Sequence, residues 1–181
     1  GSGLRYGGRS SGLENNEISA ALGCEADGLA RTATGLRVGG TASVDSVYNS
    51  IDAGEVCALG LGLDDTTTGL TVYRGTLFSG GMCTRGTAAR LSSFPALFVH
   101  DAFIDAVEFE ERHTDAPSLE SISPFYFGHV FGDLDVFNDR PNSLRIRAGS
   151  APAGAGAVDA PPLDLPGRSR PSPPSIGCYE P

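Results

Sequence analysis

A short apolar motif returns along this chain at a near-constant interval: Leu70-Thr71-Val72, Leu97-Phe98-Val99 and Phe125-Tyr126-Phe127 start 27 and 28 residues apart. The first two copies are each followed, seven residues after the motif begins, by another apolar residue, Leu77 and Ile104. A unit of this size cannot bury its apolar face alone. It becomes stable when the next unit stacks on it, so a fixed interval in this range points to a coiled, stacked repeat.

Composition agrees with short strands and tight turns. The 181 residues include 25 glycines and 12 prolines, with 40% apolar and only 19% charged residues. Apolar runs persist along the chain, which sets it apart from disordered sequences and gives it material for a sizeable core. All 13 basic residues are arginine against 22 acids, for a net charge of −9. A negative surface repels phosphate backbones, so nucleic acid is not an expected partner. The absence of lysine is as readily the mark of a GC-rich genome as of any function. No window approaches the ~20 apolar residues that cross a bilayer. The start, Gly1-Ser2-Gly3-Leu4, lacks the charged-then-apolar layout of a signal peptide, so a leader has been removed or the chain is part of a longer protein.

The four cysteines, Cys24, Cys57, Cys83 and Cys178, contain no C-x-x-C pair and no zinc-ligand spacing. An even number in a chain of secreted character suggests disulfides. Cys57 and Cys83 lie 26 apart, close to the repeat interval, which would set them on adjacent coils ~4.8 Å apart and within disulfide reach. Cys24, 33 residues before Cys57, competes for the same partner. Free buried thiols are the alternative.

Five candidate coils and a tail can be traced. The first holds Gly12 to Ile18 around the turn-forming pair Asn15-Asn16. The second starts at Leu36-Arg37-Val38, 34 residues before Leu70, and the excess is assigned to an external loop around Asp64 to Gly69. Before that loop, Leu59, Leu61 and Leu63 alternate with smaller residues in the period-2 pattern of a half-buried strand. Helical periodicity is confined to a turn or two at Ile18–Leu22 and Ala88–Leu91. From Ala148 the chain is rich in Gly, Ala, Pro and Ser, and proline cannot donate to a sheet ladder. The tail is therefore expected to lie across the stack as a cap or to trail from it.

Three stretches of the tail carry a family resemblance: Leu144 to Ala153, Asp164-Leu165-Pro166-Gly167-Arg168-Ser169-Arg170-Pro171, and Ile176-Gly177-Cys178-Tyr179-Glu180. Their order and spacing resemble the C-terminal end of bacterial right-handed parallel β-helix surface proteins of the choice-of-anchor Q type, related to the pectate-lyase-like superfamily. Cys178 stands where that pattern has alanine, and Gly154-Ala155-Gly156 where it has Ile-Asp. The resemblance implies an extracellular or cell-surface, all-β right-handed parallel β-helix. The coils, about five by the repeat interval, are assigned to residues 1–147 and the Pro/Gly-rich cap to 148–181.

With Leu70 and Val72 inward, alternation along the strand turns Thr71, Phe98 and Tyr126 outward in one column and Tyr73, His100 and Gly128 in the next. Outward aromatics beside polar groups suit a sugar ring, so Tyr73, Phe98, His100 and Tyr126 are the expected glycan-binding residues. One step further, Arg74, Asp101 and His129 would stack at the strand-to-turn junction, where they could bind a charged glycan or deprotonate one. The alternatives are aromatic packing between strands and an ordinary Arg74–Asp101 surface ion pair. Val99→Asp would place a charge in the core on this reading.

No cofactor is expected. The acidic run Glu108, Glu110, Glu111, His113 and Asp115 offers oxygen ligands for calcium, against the plainer reading of a solvated loop. Gly35 to Gly40 lacks a nucleotide-loop pattern, and no Gly-x-Ser-x-Gly elbow is present. The expected role is structural or adhesive, with glycan contact through the outward columns. A polysaccharide lyase or hydrolase, and a filament subunit self-associating through an open N-terminal coil, are the other two readings.

Overall fold

The computed structural model describes residues 2–6, 11–20, 32–54, 58–82, 85–92, 97–138, 143–157 and 159–181. Strands come in threes along the chain: β1 (Ser2–Tyr6), β2 (Ser11–Glu14) and β3 (Glu17–Ser19); β4 (Thr32–Val38), β5 (Val44–Val47) and β6 (Ser50–Asp52). Next come β7 (Leu59–Asp65), β8 (Thr71–Arg74) and β9 (Leu77–Ser79), then β10 (Arg85–Leu91), β11 (Leu97–Val99) and β12 (Ala102–Ile104). The last set is β13 (Val107–Phe109), β14 (Glu111–His113), the helix α1 (Ala116–Glu120), β15 (Tyr126–Phe127) and β16 (Val130–Gly132), followed by a 3-10 turn over Leu134–Val136.

Every third strand pairs in parallel. Sheet A runs β1-β4-β7-β10-β13-β14, sheet B β15-β11-β8-β5-β2, and sheet C β16-β12-β9-β6-β3; among the described strands only the β13–β14 pair is antiparallel. The protein is an all-β parallel solenoid. Three turns, β4-β5-β6, β7-β8-β9 and β10-β11-β12, have hydrogen-bonded neighbours on both sides. Of the strands before and after, β1, β2, β3, β15 and β16 are paired on one side and β13 has only the antiparallel β14 beyond it, so the stack has three interior turns rather than five equivalent coils. The described residues include no helix long and apolar enough to cross a membrane.

Like positions stack on like. In sheet A, Leu36, Leu63, Ala89 and Val107 align, and in sheet C Ile18, Ile51, Phe78, Phe103 and Phe131. In sheet B, Leu13, Ser46, Tyr73, Phe98 and Tyr126 form the inward column. Phe98 sits at the centre of the core, its ring 4.9 Å from Tyr73, 5.5 Å from Phe103 and 5.5 Å from Tyr126. Asp65 is also buried inside; it accepts from the Tyr73 hydroxyl at 2.8 Å and the Thr67 amide at 3.0 Å. Burial raises both the Asp65 and the Tyr73 pKa.

The corner between sheets B and C is made by one left-handed residue per turn: Asn15, Tyr48, Gly75, His100 and Gly128 all have positive φ. Bulky and bare corners alternate, because a Cβ on Gly75 would lie 2.5 Å from the Tyr48 ring and one on Gly128 2.5 Å from the His100 ring. Each ring therefore covers the glycine of the next turn.

The tail does not cap an end of the stack. It lies along the outer face of sheet C, where its Ile176, with Val136, Phe137, Leu144 and Ile146 of the segment leading into it, packs on the outward Leu77, Ala102 and Ile104. Arg170 reaches Asn15 at 3.1 Å, the Tyr48 hydroxyl donates to the Ala157 carbonyl at 2.8 Å, and the Tyr179 hydroxyl donates to Glu17. Sheet C is thus enclosed between core and tail. At the C-terminal end, the buried Leu119 of α1 joins the main core.

Several sequence expectations are corrected here. The middle residue of each motif copy faces inward, Thr71, Phe98 and Tyr126 all being buried, and so does Tyr73, which is fully buried, whereas Leu70 is exposed and Val99 partly exposed. Val99→Asp therefore does not reach the core. Leu97 pairs with Val72, so the step from the third turn to the fourth is 25 residues rather than 27. Leu36–Val38 belongs to sheet A and aligns with Leu63–Asp65, while the true counterpart of Thr71 is Val44. Asp64 and Asp65 are buried strand residues, not an external loop. Ala88–Leu91 is strand, and the helix lies instead at Ala116–Glu120, where Asp115 caps the Ser118 amide and Pro117 suits the first turn. Cys178 is a free thiol, buried and pushed up to about 12 by that burial; Cys24, Cys57 and Cys83 lie outside the described residues.

Candidate functional site

Immediately after the left-handed corner, one residue per turn points into the stack: Asn16, Asn49, Thr76, Asp101 and His129, the last four buried. The corner amide before each sheet-C strand has no strand partner of its own, and a buried unpaired N–H is costly. Side chains of this column satisfy it at three of the turns, and Glu120 takes the His129 amide at 3.0 Å. Asn49 Oδ1 accepts from the Asn16 amide at 2.8 Å, Asp101 Oδ1 from Thr76 at 2.8 Å, and His129 Nδ1 from Asp101 at 3.2 Å. Asp101 Oδ2 also takes the Val99 amide at 3.0 Å.

Sequence reasoning placed Asp101 and His129 in one ladder, and the structure does bring them together. Arg74 is not part of it; Thr76 fills that place. Arg74 instead meets Asp45 at 3.2 Å and Asp159 at 3.6 Å on the outside of sheet B, the kind of exposed pair that contributes ~0–1 kcal/mol. Asp101 is fully buried with both oxygens committed to backbone amides, and burial raises its pKa well above the usual carboxylate value. Its position braces the corner and gives no route to a substrate.

His129 lies among Phe98, Phe103 and Tyr126, with ring centroids 5.5 to 6.5 Å away. Its Nε2 has no hydrogen-bond partner, and burial lowers its pKa to about 4 from 6.5. Between those values the unfolded chain takes up a proton that the folded protein refuses. The stabilising contribution is complete above pH ~6.5 and is lost as pH falls through ~4, by about 3 kcal/mol at most. His129→Asn keeps an acceptor near the Nδ1 position and copies the Asn49 corner. Urea unfolding of His129→Asn is expected to be flatter between pH 6.5 and pH 4 than that of the parent. Parallel curves would show that His129 is not the titrating group. The buried acids Asp65 and Asp101 shift the other way in both proteins and cancel in the comparison.

Of the four expected sugar contacts, Tyr73, Phe98 and Tyr126 are core residues and only His100 is half-exposed. Outward on sheet B are Val47, Arg74, Val99 and Phe127 in one column, and Asp45, Val72 and Leu97 in the other. Phe127 is 46% exposed, and its ring meets His100 edge-on at 5.6 Å. Phe125 is 61% exposed just before it. The phase that puts Leu70 and Val72 inward would bury Phe125 and Phe127 as well; the signal that turns them outward is the glycine corner at Gly128, which fixes the phase of the strand before it.

The outer face of sheet A is charged. Asp64 lies between Arg37 at 2.7 Å and Arg90 at 2.9 Å, and Glu108 between Arg85 at 2.9 Å and Arg112 at 3.1 Å. The acidic run is thus a hairpin with Glu108 committed to arginines. Among the described residues no group of three or more His, Cys, Asp or Glu is placed to hold a metal ion.

Searches found no matching protein-family model, curated protein or solved structure.

Proposed function

We propose that this chain is an extracellular or cell-surface β-solenoid module with a structural and adhesive role, contacting glycans through the outer face of sheet B. The carrying observation is the uneven cover of the three faces. The tail closes sheet C and arginine–carboxylate pairs fill sheet A, while sheet B presents the partly buried Val72, Leu97 and Val99 and the exposed Phe127 beside His100, Arg74 and Asp45. A flat apolar strip edged by hydrogen-bonding groups suits the C–H face and hydroxyls of a sugar. Placement outside the cytoplasm, the right-handed sense of the coil and membership of the choice-of-anchor Q type rest on the tail resemblance. A scaffold role is favoured over lyase or hydrolase chemistry because Asp101 and His129 are spent on the corner and Arg74 on Asp45.

Glycan-array binding of the folded chain tests this reading. Binding to one class of polysaccharide is expected, weakened about tenfold or more by Phe127→Ala with no change in melting temperature. No binding across the array, or binding indifferent to Phe127→Ala and His100→Ala together, would remove sheet B as the contact face.

A further inference from the structure

The inward aromatic column of sheet C ends in the open. Phe78 stacks on Phe103 at 5.8 Å and Phe103 on Phe131 at 5.4 Å, but among the described residues no strand follows β16 in that sheet. Phe131 is only half-buried, and it lines a cleft of about 390 Å³ between β16 and the β13–β14 hairpin. The walls are Asp105, Arg112, Thr114 and Asp133. That volume is at the small end of ligand sites.

We propose that this cleft is a second binding site, for a single neutral sugar ring, which would let the module grip a glycan by one unit at the end of the stack. The proposal rests on the glycan-binding reading above and adds a location and a ligand class to it. The chemistry of the walls selects the class. Arg112, which gives one N–H to Glu108 and keeps the others, turns away a simple cation, and the exposed Asp133 carboxylate turns away a simple anion. A neutral polyol is compatible with both signs: its hydroxyls donate to carboxylate and accept from guanidinium, while its C–H face covers the Phe131 ring. Thr114 adds a hydroxyl that both donates and accepts.

Asp133 allows a clean test because its side chain makes no capping bond to the 3-10 turn it precedes, so Asp133→Asn removes an acceptor charge without removing a cap. The probes are the methyl glycosides of glucose, galactose, mannose and N-acetylglucosamine, titrated at millimolar concentrations with amide chemical shifts as the readout. At least one glycoside is expected to bind and to move the amides of Arg112, Thr114 and 131–133. Asp133→Asn should weaken it about tenfold, the size of one charge-assisted hydrogen bond, and Phe131→Leu should weaken it further, while Phe127→Ala leaves it unchanged. Should Phe131→Leu misfold, Asp133→Asn decides alone. Full binding by Asp133→Asn, or no shifts in the parent with any of the four glycosides, overturns the cleft. Loss confined to Phe127→Ala overturns it too but leaves sheet B standing, and polymer binding on the array without glycoside shifts separates the two sites in the same way.

Discussion

Phe98→Ala is expected to lower stability by about 3–5 kcal/mol, the range for truncating a buried aromatic, with a matching fall in the urea midpoint. The size follows from position. Phe98 is completely buried, and five rings surround it: Tyr73, Phe78, Phe103, Tyr126 and His129. Those neighbours belong to three successive turns and two sheets, held in register by backbone ladders. They cannot close over the space left by a phenyl ring without breaking those ladders, so most of the cavity persists. The adjacent Val99→Asp is the matched control: it projects from the opposite face and is half-exposed, and a loss of no more than about 1 kcal/mol is expected, as for surface sites. If Val99→Asp were the more damaging of the two, the inward and outward assignment of sheet B would be reversed.

That pair of variants also marks where the sequence could and could not be read. The interval between motif copies is enough for the solenoid, since only stacking buries a recurring apolar face. The Leu59–Leu63 alternation is enough to mark β7 as a strand, but not to show that it is buried along nearly its whole length rather than on one face. Asn15-Asn16 marks the first corner, where Asn15 adopts positive φ. Which face is buried was not legible from Leu97-Phe98-Val99: three consecutive apolar residues are compatible with either phase, and a slip of one residue moves every side chain to the other side. The corner residues carry the missing information. Gly75 and Gly128 hold the left-handed position that His100 also occupies, and aligning the turns on them yields Tyr73 with Phe98 and Tyr126 at once. Thr76, Asp101 and His129 then fall into a single column, and Arg74 drops out of it. Phe131 and Asp133 were passed over for a different reason: a cleft at the end of a stack is formed by residues from β14 and β16 that are distant in sequence, so nothing local announces it.

The second large effect is expected at Arg170. Its side chain is 3% exposed and makes a 2.7 Å ion pair with Glu180, itself 7% exposed. The same guanidinium donates to the Gly177 carbonyl at 2.9 Å and Asn15 Oδ1 at 3.1 Å, and lies 5.0 Å over the Tyr48 ring. It therefore links the tail to two successive corners of the solenoid. Arg170→Ala leaves the Glu180 carboxylate buried with only Ser175 to receive it, through the amide at 3.0 Å and the hydroxyl at 2.6 Å. An uncompensated buried charge of this kind costs about 3–5 kcal/mol. Because the tail is a strap over sheet C, the loss should appear as local release before global unfolding: faster amide exchange and earlier proteolysis within 148–181, and aggregation through the uncovered Leu77, Ala102 and Ile104. Arg170→Lys should rescue little, since one ammonium cannot reproduce a fork that serves Glu180, Gly177 and Asn15 together. Arg170→Met combined with Glu180→Gln should recover a large part of the loss, because it removes both charges while keeping much of the volume. If Arg170→Ala alone kept the parental midpoint and tail protection, the strap would be held by its apolar contacts, with the ion pair incidental to them.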